Sequence, residues 1–447
     1  MLGSALLDEA PEAAPRGGSL DRLLRTTATG SAVNAVVLAV NVVTGILSAR
    51  LLGPSGRGEL AAVLTIGVVA GSVLALSAQQ TLAHQVAGRP RDVGALAGAW
   101  AVTLGAIYLV AAPLLWFAVP VLFAELPERT VAFGRFFVLM IVLAFLTEMQ
   151  NGVLLGMQRM RPYFVLALSQ PILILTLYGC LWATDRFDVD TVLIGTAVLS
   201  GSVSLVGFSY VIRRFGLQRA ASATVRPALR YALRVHPSSL ASLHASRLAL
   251  LLLPALVGAA DVGLYAVAVS VVAAVGAISL SLSTVLLPIA SSDPGAAPRL
   301  VIGALYLAAG AVGATALVIG LLASPLLTLV YGDAFEPVAG PLRMMLAGAT
   351  LNAVAMVLLV GLNALGRPGL ASLASAGGLA LGAVLMLTTV ETGGLQAAAV
   401  AAAAQATMTL LAALAFYRSH AGLHWRELLL EPADLRRALA SVRRRPR

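Results

Sequence analysis

The chain has 447 residues, of which 59% are apolar and 11% charged, whereas a soluble domain carries roughly a quarter charged residues. That balance, with a mean hydropathy of +0.92, excludes a water-soluble globule, a disordered chain and a collagen-like one, and leaves an all-α integral membrane protein. Thirty cationic residues against twenty acidic give a net charge of +10, and every cationic residue is arginine. Without lysine, neither a phosphate-binding loop of the G-x-x-x-x-G-K-[ST] type nor Schiff-base chemistry can be built. A single cysteine, Cys180, rules out an intrachain disulfide and a thiolate metal cluster.

Residues 1–28 read as a cytoplasmic tail, charged and without an apolar core of signal-peptide length. Some twelve spans follow, centred roughly on 40, 71, 106, 143, 173, 201, 247, 275, 312, 350, 379 and 406, each with the ~20 apolar residues that cross a bilayer as a helix. They divide into a bundle of six at 29–213 and another of six at 237–418, with a basic cytoplasmic linker at 214–236 between them. The last segment, 419–447, carries leucines and arginines at helical spacing and predicts an interfacial helix on anionic lipid.

Arginine position sets the orientation, because short cytoplasmic loops retain positive charge. With both termini inside, 23 arginines lie on the cytoplasmic side, and Arg50, Arg57, Arg129, Arg135 and Arg186 lie outside. The outer loops carry acids instead: Glu125, Glu128, Asp185, Asp188, Asp190, Asp333 and Glu336. Arginines confined to one face of the spans fit a lipid surface and speak against nucleic acid as a partner.

The halves repeat. Gly53 and Gly58 of LLGPSGRGELAAV recur 205 residues later as Gly258 and Gly263 of LVGAADVGLYAVA, and Arg161–Pro162 recurs at an offset of 206 as Arg367–Pro368. Six spans per half is an even number, so both halves enter from the same side. They are therefore related by a parallel pseudo-two-fold axis along the membrane normal.

The run SARLLGPSGRGELAAVLTI after the first span resembles the polysaccharide exporters of the multidrug/oligosaccharidyl-lipid/polysaccharide superfamily. So do SRLALLLLPALVGAADVGLYAVAVSV, which opens the second half, and LRMMLAGATLNAVAMVLLVGLNALGRP near its end. The resemblance covers roughly residues 29–418. It implies two six-helix bundles, alternating access, and flipping of a polyprenyl-pyrophosphate-linked saccharide from the inner to the outer leaflet of a bacterial plasma membrane. Relatives often carry an aspartate two positions after the arginine of the seventh span, where this chain has Ala249.

A charge at membrane depth is costly and normally faces a cavity or a partner. Arg247, in HASRLALLLL, offers a planar donor fork that suits pyrophosphate oxygens, or it ties the bundles together by pairing with Glu148 or with carbonyls. Glu148, in FLTEMQNG, shares a helix face with Asn151 and reads either as an ion-coupling or gating group or as one side of an interhelical salt bridge. Asn34, Asn41 and Ser48 are seven apart and form one polar stripe, lining a cavity or holding helices together. Gln80, Gln170, Asn352 and Asn363 read as packing groups. Arg343 and Arg135, near the outer surface, either ring the exit of the cavity or snorkel. His420 and His424 are the one helical i, i+4 pair among the histidines and lack a carboxylate beside them, so no metal and no cofactor is expected.

Four functions compete: a flippase for a lipid-linked oligosaccharide, an ion-coupled drug or metabolite antiporter of the same superfamily, a polysaccharide polymerase or glycosyltransferase, and a non-transporting scaffold. The enzyme needs long outer loops with catalytic groups, and the outer loops here are under about 15 residues. The scaffold does not account for charges at membrane depth. The expected partners are the lipid-linked saccharide, the bilayer, and the polymerase and glycosyltransferases that supply and consume the glycan. The topology has a direct test in a Cys180→Ser background. Cysteines at Asp188 and Glu336 should react with an impermeant maleimide in intact cells, and cysteines at Arg219 and Arg443 only after permeabilisation; labelling at Arg219 in intact cells would overturn the orientation.

Overall fold

The computed structural model describes residues 19–218, 229, 230, 232, 233, 236, 245–292 and 297–421, and among them there are helices and short turns but no strand. Most of the linker and the tail beyond 421, including the expected interfacial helix, lie outside the described residues. The long helices are α1 (Ser19–Leu74), α2 (Ala78–Gly88), α3 (Val93–Leu122), α4 (Glu128–Gly156), α5 (Met160–Ala183) and α6 (Val189–Phe215). After the linker come α7 (Ala245–Leu252), α8 (Ala259–Ser292), α9 (Ala297–Leu321), α10 (Ala323–Tyr331), α11 (Ala339–Ala364) and α12 (Pro368–Ala421).

Nine stretches among the described residues are long and apolar enough to cross a membrane. Two of them, Thr29–Leu74 and Pro368–Ala421, have 46 and 54 residues, about twice the ~20 that a span needs. Each is broken by a glycine: Gly53 has φ 65° and Gly394 has φ 54°, a left-handed backbone that glycine adopts without a Cβ clash. Pro54 then opens the second arm of α1 from a helix start, where its missing N–H costs nothing. Each of these helices thus makes two passes, and α7 stands at the seventh span. The protein is multi-pass.

The described residues fall into two compact units. The first comprises Met1–Leu47, Ala70–Phe117 and Arg135–Val235, and the second Ser48–Val69, Ala118–Gly134 and His236–Arg447. Packing therefore divides the chain differently from its repeat: Ser48–Val69, where the first and second spans join, and Ala118–Gly134, the turn between α3 and α4, are built into the second unit.

In the first unit the second span is itself broken at 75–77, where Leu76 and Ser77 take φ of 48° and 54°. The short helix α2 that follows lies on α4. Gly152 and Gly156 of α4 admit it, since a Cβ on Gly152 would stand 2.7 Å from the Leu82 Cβ and one on Gly156 2.8 Å from the Ala83 carbonyl oxygen. Lipid tails are as apolar as leucine, so such small-residue contacts, rather than a hydrophobic drive, bring spans together. Hydroxyls and amides add to them: Thr147 and Ser204 lie 2.7 Å apart, and the Gln170 amide donates to Ser200 at 3.0 Å. Outside the spans, Asp188 caps α6 by accepting from the Thr191 amide at 2.9 Å and its hydroxyl at 2.7 Å. These bonds hold its carboxyl below the ordinary carboxylate range. The cap's contribution is thus present above the ordinary value and is lost as pH falls through the lowered one.

In the second unit the second arm of α1 crosses α8 at two glycines. A Cβ on Gly58 would collide with the Ala259 carbonyl and lie 2.8 Å from the Gly263 nitrogen, and one on Gly263 would collide with the Pro54 carbonyl and lie 2.9 Å from the Gly58 nitrogen. Pro54 and Ala259, like Gly58 and Gly263, stand at the repeat's offset of 205. Each residue thus meets the counterpart of what its own counterpart meets, as in an isologous contact on a two-fold axis. Gly263→Ala should lower stability by about 1–3 kcal/mol through overpacking against backbone. Gly276→Ala, where a Cβ meets nothing within 4 Å, should leave stability unchanged or raise it. Thermal midpoints of the purified variants check the contrast, and equal midpoints would refute the tight crossing.

Candidate functional site

Glu148 is half-buried on α4, one turn before Gly152. Its carboxylate accepts from the backbone N–H of Gln79 at 3.4 Å, in the first turn of α2. The first turn of a helix leaves N–H groups without intrahelical partners and carries the positive end of the macrodipole, so a carboxylate there is stabilised. Sequence reasoning offered an arginine or an exchangeable ion as its partner, and the structure supplies the start of a half-helix, which forms because the span breaks at Leu76 and Ser77. Tyr163 of α5 lies close enough for Glu148 to act on it electrostatically. Asn151 is half-buried on the same helix.

Arg247 is exposed on α7, and among the described residues it makes no hydrogen bond or ion pair. Two residues on, Ala249 is 9% exposed and lines a small cavity with Leu252, Tyr265, Met386 and Gln405. An alanine in these surroundings supplies no charge, so an arginine–carboxylate pair at this spacing is absent.

The polar stripe of the first span is graded along its length. Asn34 and Asn41 are exposed, while Ser48, two turns further out, is completely buried in the second unit. Arg343 and Arg135 are each engaged by neighbouring groups. Arg343 donates through Nε to the Gly320 carbonyl at 3.0 Å and through a terminal nitrogen to the Ser324 hydroxyl at 3.4 Å, holding the last turn of α9. Arg135 donates to the Trp116 carbonyl at 3.4 Å and places its guanidinium 5.4 Å from the centroid of the Trp116 ring, within cation–π reach. Gln80, Asn352 and Asn363 are exposed.

Two groups escaped the sequence reading. Glu59, next to Gly58, is 2% exposed and accepts from Arg129 Nε at 3.2 Å, from a terminal nitrogen of Arg129 at 2.9 Å, and from the Thr130 hydroxyl at 2.6 Å. A fork-on-carboxylate pair is among the stronger protein contacts. It ties the second arm of α1 to the first turn of α4. Arg50, at the end of the first span, donates through Nε to the Val330 carbonyl at 2.7 Å and through a terminal nitrogen to the Leu329 carbonyl. The available signal for the first was the position of Glu59 beside Gly58, two residues from Arg57, which was assigned to the same membrane side as Arg129. Nothing in the sequence pairs Arg50 with α10.

Broken long helices and a repeat that crosses itself at matched glycines define an all-helical, multi-pass membrane bundle. The chain belongs to the family described as polysaccharide biosynthesis protein, which its residues 23–292 match. Among solved structures it is similar to the lipid II flippase MurJ in an inward closed conformation, with TM-score 0.73, 13% identity and 86% of each chain covered. It is also similar to an inward-facing multidrug resistance MATE family transporter, with TM-score 0.69, 15% identity, and 87% of this chain and 94% of that one covered. The Vibrio cholerae MATE transporter VcmN aligns with TM-score 0.59 and 18% identity over 92% of this chain and 98% of that one. At these identities the structural likeness establishes the fold. A search of the curated proteins found no match.

The geometry at Glu148 separates coupling from anchoring. Glu148→Gln keeps the shape and an acceptor for the Gln79 amide but cannot ionise. If the carboxylate couples ions, any pH or sodium dependence of transport should weaken while the amount of folded protein stays near normal. Poor accumulation of the variant, with residual activity keeping the parent's ion dependence, would assign Glu148 to anchoring α2.

Proposed function

We propose that the protein is a flippase that moves a polyprenyl-pyrophosphate-linked oligosaccharide, a cell-envelope polysaccharide precursor, from the inner to the outer leaflet by alternating access. The observation that carries this reading is an always-charged, exposed guanidinium, Arg247, at membrane depth in a chain of the polysaccharide biosynthesis family. A pyrophosphate presents paired oxygens to such a fork, and in a low-dielectric setting a charged ligand is the natural partner of an arginine. In this reading Arg247 binds the pyrophosphate, and the exposed amides of Asn34 and Asn41 offer hydrogen bonds to sugar hydroxyls. Arg135 and Arg343 stand at the exit, and Glu148 with Asn151 couples an ion. The protein sits in a bacterial plasma membrane with both termini cytoplasmic, beside the glycosyltransferases and polymerase of the same glycan. A second reading, an ion-coupled drug or metabolite antiporter, draws on the Glu148 carboxylate at its half-helix. It would need a cation-selective cavity, which the exposed Arg247 opposes.

The test is accumulation of lipid-linked saccharide in the inner leaflet, normalised to protein in the membrane, for Arg247→Lys and Arg247→Ala. Arg247→Lys keeps the charge and loses the fork, and should weaken substrate binding by about 1.5–3 kcal/mol, or roughly ten- to a hundredfold. Export at the parent rate per molecule in the lysine variant would remove Arg247 from the substrate site.

A further inference from the structure

The outer ends of the first-half spans meet second-half elements at three places inside the second unit. The glycine crossing brings the α1 and α8 backbones into contact at Gly58 and Gly263. The Glu125 backbone amide, in the turn after α3, donates to the Pro254 carbonyl at 3.4 Å. Arg50 lays both arms of its guanidinium on Leu329 and Val330, the last carbonyls of α10. These carbonyls have no intrahelical donors and carry the negative end of the helix dipole, so a cation placed there is favoured. Arg57, one turn beyond Gly53, also acts electrostatically on Tyr331, the final residue of α10. Two first-half arginines therefore converge on one second-half helix end. Directly beneath Arg50, Ser48 and Ala49 are completely buried, although Asn34 and Asn41 of the same helix are exposed.

We propose that Arg50, together with the Gly58–Gly263 crossing, is the latch that keeps the outer side of the second unit shut, and that release of cargo outward requires the Arg50 fork to leave α10. The chemistry suits a reversible contact. Neutral carbonyls at an exposed site hold a guanidinium more weakly than a carboxylate does, whereas the pair between the buried Glu59 carboxylate and the exposed Arg129 has the stronger, two-armed geometry and keeps the first-half ends together as they move. Glycines at the crossing give close approach without interlocking side chains, so the surfaces can part without a side chain having to be withdrawn from a hole. Arg50 is then a positioning residue: it sets which face is open and touches no substrate. The proposal rests on the alternating-access reading but not on the identity of the cargo.

The experiment reads opening directly, in the full-length protein in membranes, with Cys180→Ser as background and a cysteine reporter at Ser48. Labelling by an externally added impermeant maleimide should be slow in the parent. It should rise several-fold with Arg50→Gln and less with Arg50→Lys, whose ammonium reaches the same carbonyls without the fork. Gly58→Ala, which keeps Arg50 but forces the backbones apart, should raise it independently. A second reporter at Ala355, completely buried in the second unit, should stay unlabelled throughout. Parent-rate labelling at Ser48→Cys in Arg50→Gln, or a rise matched at Ala355→Cys, would overturn the latch. Neither result depends on saccharide export, so a failed latch and a failed flippase assignment are distinguishable.

Discussion

The close approach of two helix backbones at Gly58 and Gly263 is the constraint on which the second unit depends. In a bilayer, burying apolar side chains against one another gains little over leaving them in lipid, so spans associate through close packing and hydrogen bonding. A glycine on each partner, at equivalent places in the two repeats, lets main chain touch main chain without either half being favoured. Arg50, Glu59 and Arg129 then lie around that contact at the helix ends, where water lowers the cost of holding charge.

Arginine, the chain's only basic residue type, has several uses here, and its partner decides which. Arg50 places its fork, and Arg343 its Nε, on the closing turn of a helix, where unpaired carbonyls and the dipole both favour a cation. Arg129, itself exposed, meets a buried carboxylate, and losing the arginine would strand the Glu59 charge. Arg135 lies against an indole near the membrane surface. Arg247 differs from all of these: it is exposed and has no bonding partner among the described residues.

A comparable logic operates with reversed sign in the first unit. The break at Leu76 and Ser77 interrupts the second span and creates a helix start inside the bundle, where orphan amides need an acceptor. Glu148 supplies it, and Gly152 and Gly156, following on the same face of α4, give the half-helix room to dock. Discontinuous helices whose ends face functional groups are a recurring way for transporters to place polar chemistry at membrane depth.

Composition alone determined the membrane class, because 11% charged residues cannot cover the surface of a globule in water, and the arginine asymmetry set an expected topology. The repeat was legible as Gly53 and Gly58 returning at Gly258 and Gly263, and the structure gave that spacing its physical reason by placing the second glycine of each pair at the crossing. Arg247 and Glu148 stood out because charges at depth are rare in a sequence this apolar. The tertiary structure alone decided their surroundings. That Glu148 faces a helix start depends on two left-handed residues, neither of them glycine, which carry no sequence signature. That Glu59 is buried against Arg129, and Arg50 seated on α10, depends on contacts across 70 and about 280 positions of sequence, which no local pattern encodes. The packing boundary cuts through the first and second spans rather than following the linker, because close packing between helices is set by which small residues meet in space.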